Sequence, residues 1–161
     1  MPFIIDEGLK LTETVAILKH LSRKYKPELL GETIKEQGQA DMIWGIIQDL
    51  TTSLVTPCFT TGDKEEIKQI AKTKLPAIMA FKGQKSYLVG EKPTYPDFQL
   101  WELINMTAFV FGGLDNLFSE IKGLKSYFEN MDEQERIKSF RMSSRWVEAP
   151  FLPPFAKINN I

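Results

Sequence analysis

The sequence predicts a mainly helical domain, a bundle of five or six helices preceded by one short β-hairpin. Apolar residues recur at helical spacing along most of the chain, and strand-like spacing is confined to residues 2–11. Residues 98–111 are apolar on nearly every side, which is typical of a helix surrounded by other helices. The 161 residues, of which 43% are hydrophobic and 25% charged, suit one ordinary globular domain.

Composition excludes several classes of function. The 20 Lys and Arg residues balance 21 Asp and Glu residues, so binding to nucleic acid through its phosphates is not expected. No apolar run is long enough to span a membrane, and acidic residues among the first 20 argue against a secretory signal. The single cysteine, Cys58, excludes an intrachain disulfide and favours a cytoplasmic location, and the single histidine, His20, excludes a multi-histidine metal site.

The first elements are a hairpin and a helix. Residues 2–6 and 9–11 have strand character on either side of a turn at Glu7 and Gly8. From Thr12 the apolar spacing becomes helical, and basic residues end this helix at Arg23 and Lys24. A hairpin this short is not stable alone, so it must pack against this domain or against a sheet that the chain does not contain.

Two long helices are predicted next. The first covers residues 33–56, with Asp49 away from its apolar face, and Pro57 is expected to end or kink it. The second runs from Asp63 toward Phe81, with a kink or a restart at Pro76. The apolar face of the first helix consists of Ile43, Ile46, Ile47, Leu50 and Leu54.

The central helix has clear start and stop signals. Thr94 and Asp97 form a capping-box pattern immediately before the apolar run, with Asp in place of the usual Glu or Gln. Gly112 and Gly113 end the helix. Shorter helices are predicted at about 116–129 and 133–142, followed by an irregular but packed tail over 150–161.

Residue types alone reveal no active site. His20 lies at a lysine-rich helix end and is predicted to be solvated or to cap that helix. Cys58 has no histidine nearby in the sequence, and we expect a buried or half-buried thiol. The charge run 132–138 is predicted to be a solvated helix face, and no phosphate-binding loop or metal-ligand cluster is present, so we expect no metal and no cofactor.

Four stretches in order along the chain resemble the glutathione transferases, and the mu class most closely. Residues 1–18 are similar to the proline, hairpin and helix at the end of the family's thioredoxin-like lobe, and residues 41–59 to its long helix. Residues 94–98 are similar to the capping box of its core helix, and 143–145 to its C-terminal region. The resemblance implies a remnant of the thioredoxin-like glutathione-binding domain over residues 1–25 and an all-helical C-terminal domain over 32–161.

The resemblance implies a glutathione site beside the hairpin. Pro2 corresponds to the family's cis-proline, and Met1 to the residue whose backbone pairs with the cysteinyl part of glutathione. Glu13 and Thr14 correspond to the pair that holds the γ-glutamyl end, where most mu members have Gln-Ser. Asp49 corresponds to an acid that reaches the glutathione ammonium group from the neighbouring subunit, which implies a homodimer.

The same resemblance implies a pocket for the second substrate. Phe59, Phe155 and the tail would line a site for a small apolar electrophile. Phe59 stands where mu enzymes often have a tyrosine that donates a hydrogen bond to the electrophile, so that donor is absent. The segment between Pro76 and Tyr87 is also shorter by about one helical turn.

By this resemblance the protein is a glutathione transferase, which joins the glutathione thiol to apolar electrophiles in detoxification and uses glutathione as co-substrate. The family's catalytic tyrosine lies early in the thioredoxin-like lobe, in a part that this sequence does not include. We therefore expect no catalytic residue in this chain and no activity from the 161 residues alone. The alternative function is a non-catalytic binding or dimerisation module. The position of Met1 just before the proline suggests three interpretations: an internal methionine, the start of a truncated gene model or the start of a shortened protein.

Overall fold

The computed structural model describes residues 2–146 and 152–160. Across those residues the protein has an N-terminal β-hairpin, seven α-helices and two short 3-10 helices, which confirms the mainly helical class. The strands are β1 (Phe3–Asp6) and β2 (Leu9–Thr12), and the 3-10 helices are Pro27–Leu30 and Lys157–Asn160. The helices are α1 (Thr14–Tyr25), α2 (Ile34–Thr60), α3 (Lys64–Lys82), α4 (Tyr95–Phe111), α5 (Leu114–Glu120), α6 (Leu124–Asp132) and α7 (Glu135–Arg141).

The hairpin forms where the sequence predicts it. β1 and β2 pair antiparallel, with Phe3 opposite Thr12 and Asp6 opposite Leu9. Both turn residues, Glu7 and Gly8, have positive φ, as a tight two-residue hairpin turn requires. The hairpin packs against α1, while Phe3 on its outer face remains 70% exposed.

A charged cluster attaches the hairpin to α1. One oxygen of Asp6 lies 2.7 Å from Nε2 of His20, and the other accepts a hydrogen bond from Lys24 at 2.6 Å. The prediction that His20 is solvated or caps the helix was therefore wrong. Its ring is half-buried and bonded to Asp6, which the hairpin places beside α1. The hydrogen bond from Lys24, and then that from His20, lowers the pKa of Asp6 below its ordinary value.

Two prolines lie inside long helices without ending them. α2 continues through Pro57 to Thr60, and α3 continues through Pro76 without a restart. Pro57 is buried together with Leu54 and Cys58, so packing of this helix face outweighs the single backbone hydrogen bond that proline removes. Ile46 departs from the predicted apolar face, since its side chain is 45% exposed.

The central helix α4 starts at a buried carboxylate. One oxygen of Asp97 accepts hydrogen bonds from the backbone N–H and the hydroxyl of Thr94, both at 2.8 Å. The other accepts from the backbone N–H of Leu88 at 3.0 Å and from the hydroxyl of Tyr127 at 3.1 Å. Burial raises the pKa of Asp97 even though these four donors favour its ionised form. Gly112 ends the helix in the left-handed conformation, as predicted.

The C-terminal part contains one more helix than predicted. The segment predicted at about 116–129 is divided into α5 and α6, because Ile121 is extended and Gly123 has a left-handed backbone. Residues 150, 151 and 161 of the predicted tail lie outside the described residues. Over 152–160 the tail packs as expected, with Ala156 and Ile158 buried and the Lys157 ammonium group bonded to the carbonyl of Thr60. None of the helices described here is both long and apolar enough to cross a membrane.

Replacing Asp97 by Ala should destabilise the protein strongly, because the N–H groups of Thr94 and Leu88 and the Tyr127 hydroxyl would lose their buried acceptor. We expect a loss of about 3–5 kcal/mol in the free energy of unfolding, measured by urea denaturation. Asp63 is the matched control, since it also starts a helix and bonds two backbone N–H groups but is exposed. Asp63→Ala should cost about 1 kcal/mol, and equal losses for the two variants would contradict the role of the buried carboxylate.

The attachment of the hairpin should depend on pH. Because the pKa of Asp6 is lowered in the folded state, its stabilisation is complete above the ordinary value of 3.8 and is lost as the pH falls through the folded value. Hydrogen-exchange protection of hairpin amides should therefore stay constant from pH 6 to about pH 4 and decrease below about pH 4, with α4 amides as the internal reference. Asp6→Asn should have low hairpin protection already at pH 6, and wild-type protection in that variant would refute the link.

Candidate functional site

The open end of the hairpin brings together most of the residues predicted to bind glutathione. Phe3 and Thr12 are paired, so Pro2, which precedes one, and Glu13, which follows the other, lie at the same end. Thr14 is the first residue of α1, and Pro2, Glu13 and Thr14 are all exposed. Met1 lies outside the described residues. Three of the predicted residues thus surround the N-terminus of one helix.

Glu13 has an unusual backbone conformation at this end. Its φ of 66° and ψ of 120° place it in the left-handed half of the Ramachandran plot, which favours glycine. Glu13 occupies the N-cap position of α1 but makes no side-chain capping bond, and the first turn carries no acidic residue. The first N–H groups of α1 therefore lack the usual capping acceptor, and a helix N-terminus of this kind favours a carboxylate ligand.

Asp49 lies apart from the hairpin, on the exposed side of α2. It lines a shallow depression with Ile46 of the same helix and with Lys74 and Ala77 of α3. Across the described part of the chain its carboxylate has no hydrogen bond or ion pair. Met42, one helical turn before Ile46, is also exposed. This surface therefore combines an unpaired acid with apolar side chains. Within one chain, no described contact joins Asp49 to Glu13.

The predicted acceptor residues do meet in space. The rings of Phe59 and Phe155 are 5.9 Å apart between centroids and tilted by 42°. Phe59 is half-buried at the end of α2, whereas Phe155 is 76% exposed. Cys58, which precedes Phe59 in the sequence, and Met106 line a small apolar cavity with Leu152 and Ile158 of the tail. An apolar molecule could therefore contact both rings near the surface.

Cys58 does not have the surroundings of a nucleophile. The thiol is free and buried, as predicted, and it donates to the carbonyl of Leu54 at 3.2 Å. Burial raises its pKa, which disfavours the reactive thiolate. Among the described residues, no group of three or more His, Cys, Asp and Glu is placed to hold a metal ion.

Sequence reasoning missed several contacts that position these residues. Tyr95 donates to Asp41 at 2.7 Å, and Lys19 contacts the same carboxylate at 2.8 Å, so α1, α2 and α4 are joined. Asp132, predicted to lie on a solvated face, instead pairs with Arg141 and accepts from the Trp101 indole. Most of these partners lie 22 or more positions apart, so no local pattern in the sequence signals them.

Comparison with known proteins agrees with the family resemblance and with the overall fold. Residues 48–144 match a family model described as glutathione S-transferase, C-terminal domain. Glutathione S-transferase Mu 1 of Rattus norvegicus is 26% identical over 163 residues, covering 99% of this chain and 72% of the relative. Glutathione S-transferase Mu 4 of Homo sapiens is 29% identical over 154 residues, covering 93% and 68%. The crystal structure of the glutathione S-transferase Blo t 8 superposes with a TM-score of 0.84 at 26% identity, covering 99% of this chain and 75% of that one.

The hairpin, α1 and the bundle around a capped central helix define a glutathione-transferase-like fold. The family model covers more than half of the chain, and the relatives cited are mu-class enzymes. The chain belongs to the glutathione S-transferase family. The resemblance inferred from the sequence motifs is thereby confirmed, whereas the roles of individual site residues and the domain bounds stay predictions.

The backbone of Glu13 yields a test of the site geometry. Glycine adopts a positive φ readily and alanine does not, so Glu13→Gly should be more stable than Glu13→Ala by about 1 kcal/mol in urea denaturation. Gln134 is the control position, because it starts α7 with an ordinary φ of −59°. A difference between Gly and Ala at position 134 as large as that at position 13 would contradict the strained backbone.

Proposed function

We propose that this chain is the helical, acceptor-binding part of a glutathione transferase that conjugates the glutathione thiol to small apolar electrophiles in the cytoplasm. In this proposal residues 1–25 are a remnant of the thioredoxin-like domain and residues 32–161 form the helical domain. Glutathione is a co-substrate, and no other cofactor is needed. The observation that carries the proposal is the meeting of Pro2, Glu13 and Thr14 at an uncapped helix N-terminus in a member of this family.

Glutathione would bind at the open end of the hairpin through charge complementarity. Its γ-glutamyl carboxylate would accept from the Thr14 hydroxyl and from N–H groups of the first turn of α1. Its ammonium group would lie near the Glu13 carboxylate and near Asp49 of the partner subunit. The unpaired carboxylate of Asp49, next to exposed Met42 and Ile46, suits a surface that contacts a second copy of the chain.

The electrophile would lie against Phe59 and Phe155. These rings offer apolar contact and no hydrogen-bond donor, so this pocket would orient an aromatic electrophile by packing rather than by polarising it. In this proposal no tyrosine hydroxyl donates a hydrogen bond to the electrophile, as one often does in mu enzymes.

The positions and hydrogen bonds of the tyrosine hydroxyls favour a second candidate function. The hydroxyls of Tyr87, Tyr95 and Tyr127 are all bonded inside the helical domain, and Tyr25 lies at the opposite end of α1 from Glu13. Among the described residues, no tyrosine hydroxyl is thus placed to stabilise a glutathione thiolate at the hairpin. The second candidate is a non-catalytic binding or dimerisation module that retains the glutathione-transferase fold.

Glutathione binding and conjugation should separate the two candidates. The 161-residue chain should bind glutathione saturably by calorimetry, yet it should conjugate glutathione to 1-chloro-2,4-dinitrobenzene no faster than the uncatalysed reaction. Clear turnover would refute the proposal that the thiolate-stabilising group is missing. Absence of both binding and turnover would favour the module without a glutathione site.

Asp49→Asn tests the shared site. Loss of one charge-assisted hydrogen bond to the glutathione ammonium group should weaken binding about tenfold. Asp115→Asn is the matched control, because Asp115 is also exposed and lies outside the candidate site. Equal weakening by both variants would mean that Asp49 acts only through the overall charge, and unchanged binding in Asp49→Asn would exclude it from the site.

A further inference from the structure

A basic cleft lies on a part of the helical domain that contributes nothing to the candidate glutathione or acceptor sites. It is formed between the C-terminal end of α3, the segment that follows it and the start of α6, with a volume of about 570 Å³. Lys82, Lys85 and Lys122 line it, and no acidic side chain does.

The lysines of the basic cleft have no ion-pair partner among the described residues. Across residues 2–146 and 152–160, none of its three lysines has a carboxylate within 4.0 Å. Lys82 is only 9% exposed, and its ammonium group donates to the carbonyl of Gly83 at 3.3 Å. Lysine side chains this well buried normally have a charged partner. The basic cleft therefore lacks a counter-charge.

Capping of α3 explains only part of this arrangement. Lys82 and Lys85 each bond one carbonyl near the end of α3, as basic residues at helix C-termini often do. Lys122 comes from the opposite wall, just before α6, and makes no described hydrogen bond or ion pair. Two separate segments thus bring positive charge to one concave surface, which capping of a single helix does not require.

Other groups in the basic cleft suit the same kind of ligand. The α6 helix starts at Gly123 without a side-chain cap and without an acid in its first turn, so its N–H groups add positive potential. The Ser126 hydroxyl lines the cleft but already donates to the Gly123 carbonyl at 3.1 Å, and Pro76 and Met79 provide an apolar wall. The ammonium groups and the helix N–H groups together match the oxygens of a phosphate group.

We propose that the basic cleft binds a phosphate group, either as free phosphate or on a small organic molecule. The three ammonium groups would neutralise the two negative charges, and the apolar wall would contact an organic substituent where one is present. This site is independent of the proposed transferase function, since it shares no lining residue with the glutathione and acceptor sites.

Nuclear magnetic resonance of the 15N-labelled 161-residue chain tests the proposal. At constant ionic strength, inorganic phosphate should shift the amide signals of Gly83, Gly123 and Ser126 saturably. Phenyl phosphate forms a second arm: binding at least about tenfold tighter would identify an organic phosphate, and equal affinity would identify free phosphate. If neither compound shifts these signals saturably, the proposal is wrong.

Lysine variants test whether phosphate binds in the basic cleft. Lys122→Gln should weaken phosphate binding about tenfold without affecting folding, because this exposed side chain has no described contact. Lys85→Gln should weaken it to a similar degree. Lys35→Gln is the matched control, since Lys35 is exposed at the start of α2 and does not line the cleft. Equal weakening by Lys35→Gln would show general charge attraction and overturn the proposal.

Discussion

The buried carboxylate of Asp97 joins three segments that are distant in sequence. Its oxygens receive hydrogen bonds from Leu88 in the segment before α4, from Thr94 at the start of α4 and from Tyr127 in α6. α4 in turn packs against α2, α3, α5 and α6, so the position of its first turn constrains the whole bundle. Asp97 is 0% exposed, and each of its donors would be costly to bury without it.

A second set of hydrogen bonds and ion pairs connects α4 to the candidate glutathione residues through α2 and α1. Tyr95, two positions before Asp97, donates to Asp41 of α2, which also pairs with Lys19 of α1. α1 then holds the hairpin through His20 and Lys24 on Asp6. The strained backbone of Glu13 is therefore supported from both sides, by the hairpin and by the helical domain. Pre-positioning of this kind reduces the cost of ordering a binding site.

Local signals were sufficient for much of the fold and for part of the site. The hairpin turn, the capping box at Thr94 and the glycine stop at Gly112 each involve residues a few positions apart, so the sequence shows them directly. Pro57 and Pro76 do not end their helices, because packing of a helix face outweighs the local cost of a proline. Gly123 was not recognised as a helix boundary, and therefore one predicted helix is two.

By itself the sequence determined the helical class, the family and the residues that are proposed to bind glutathione, because these depend on composition, periodicity and motifs. Only the tertiary structure decided contacts that no motif or resemblance indicated: His20 with Asp6, Tyr95 with Asp41, and the placement of Lys82 and Lys122 on one cleft. The physical reason is that the residues in these contacts lie 14 and 54 positions apart in the sequence. Their geometry follows from the packing of whole helices, which no short pattern records.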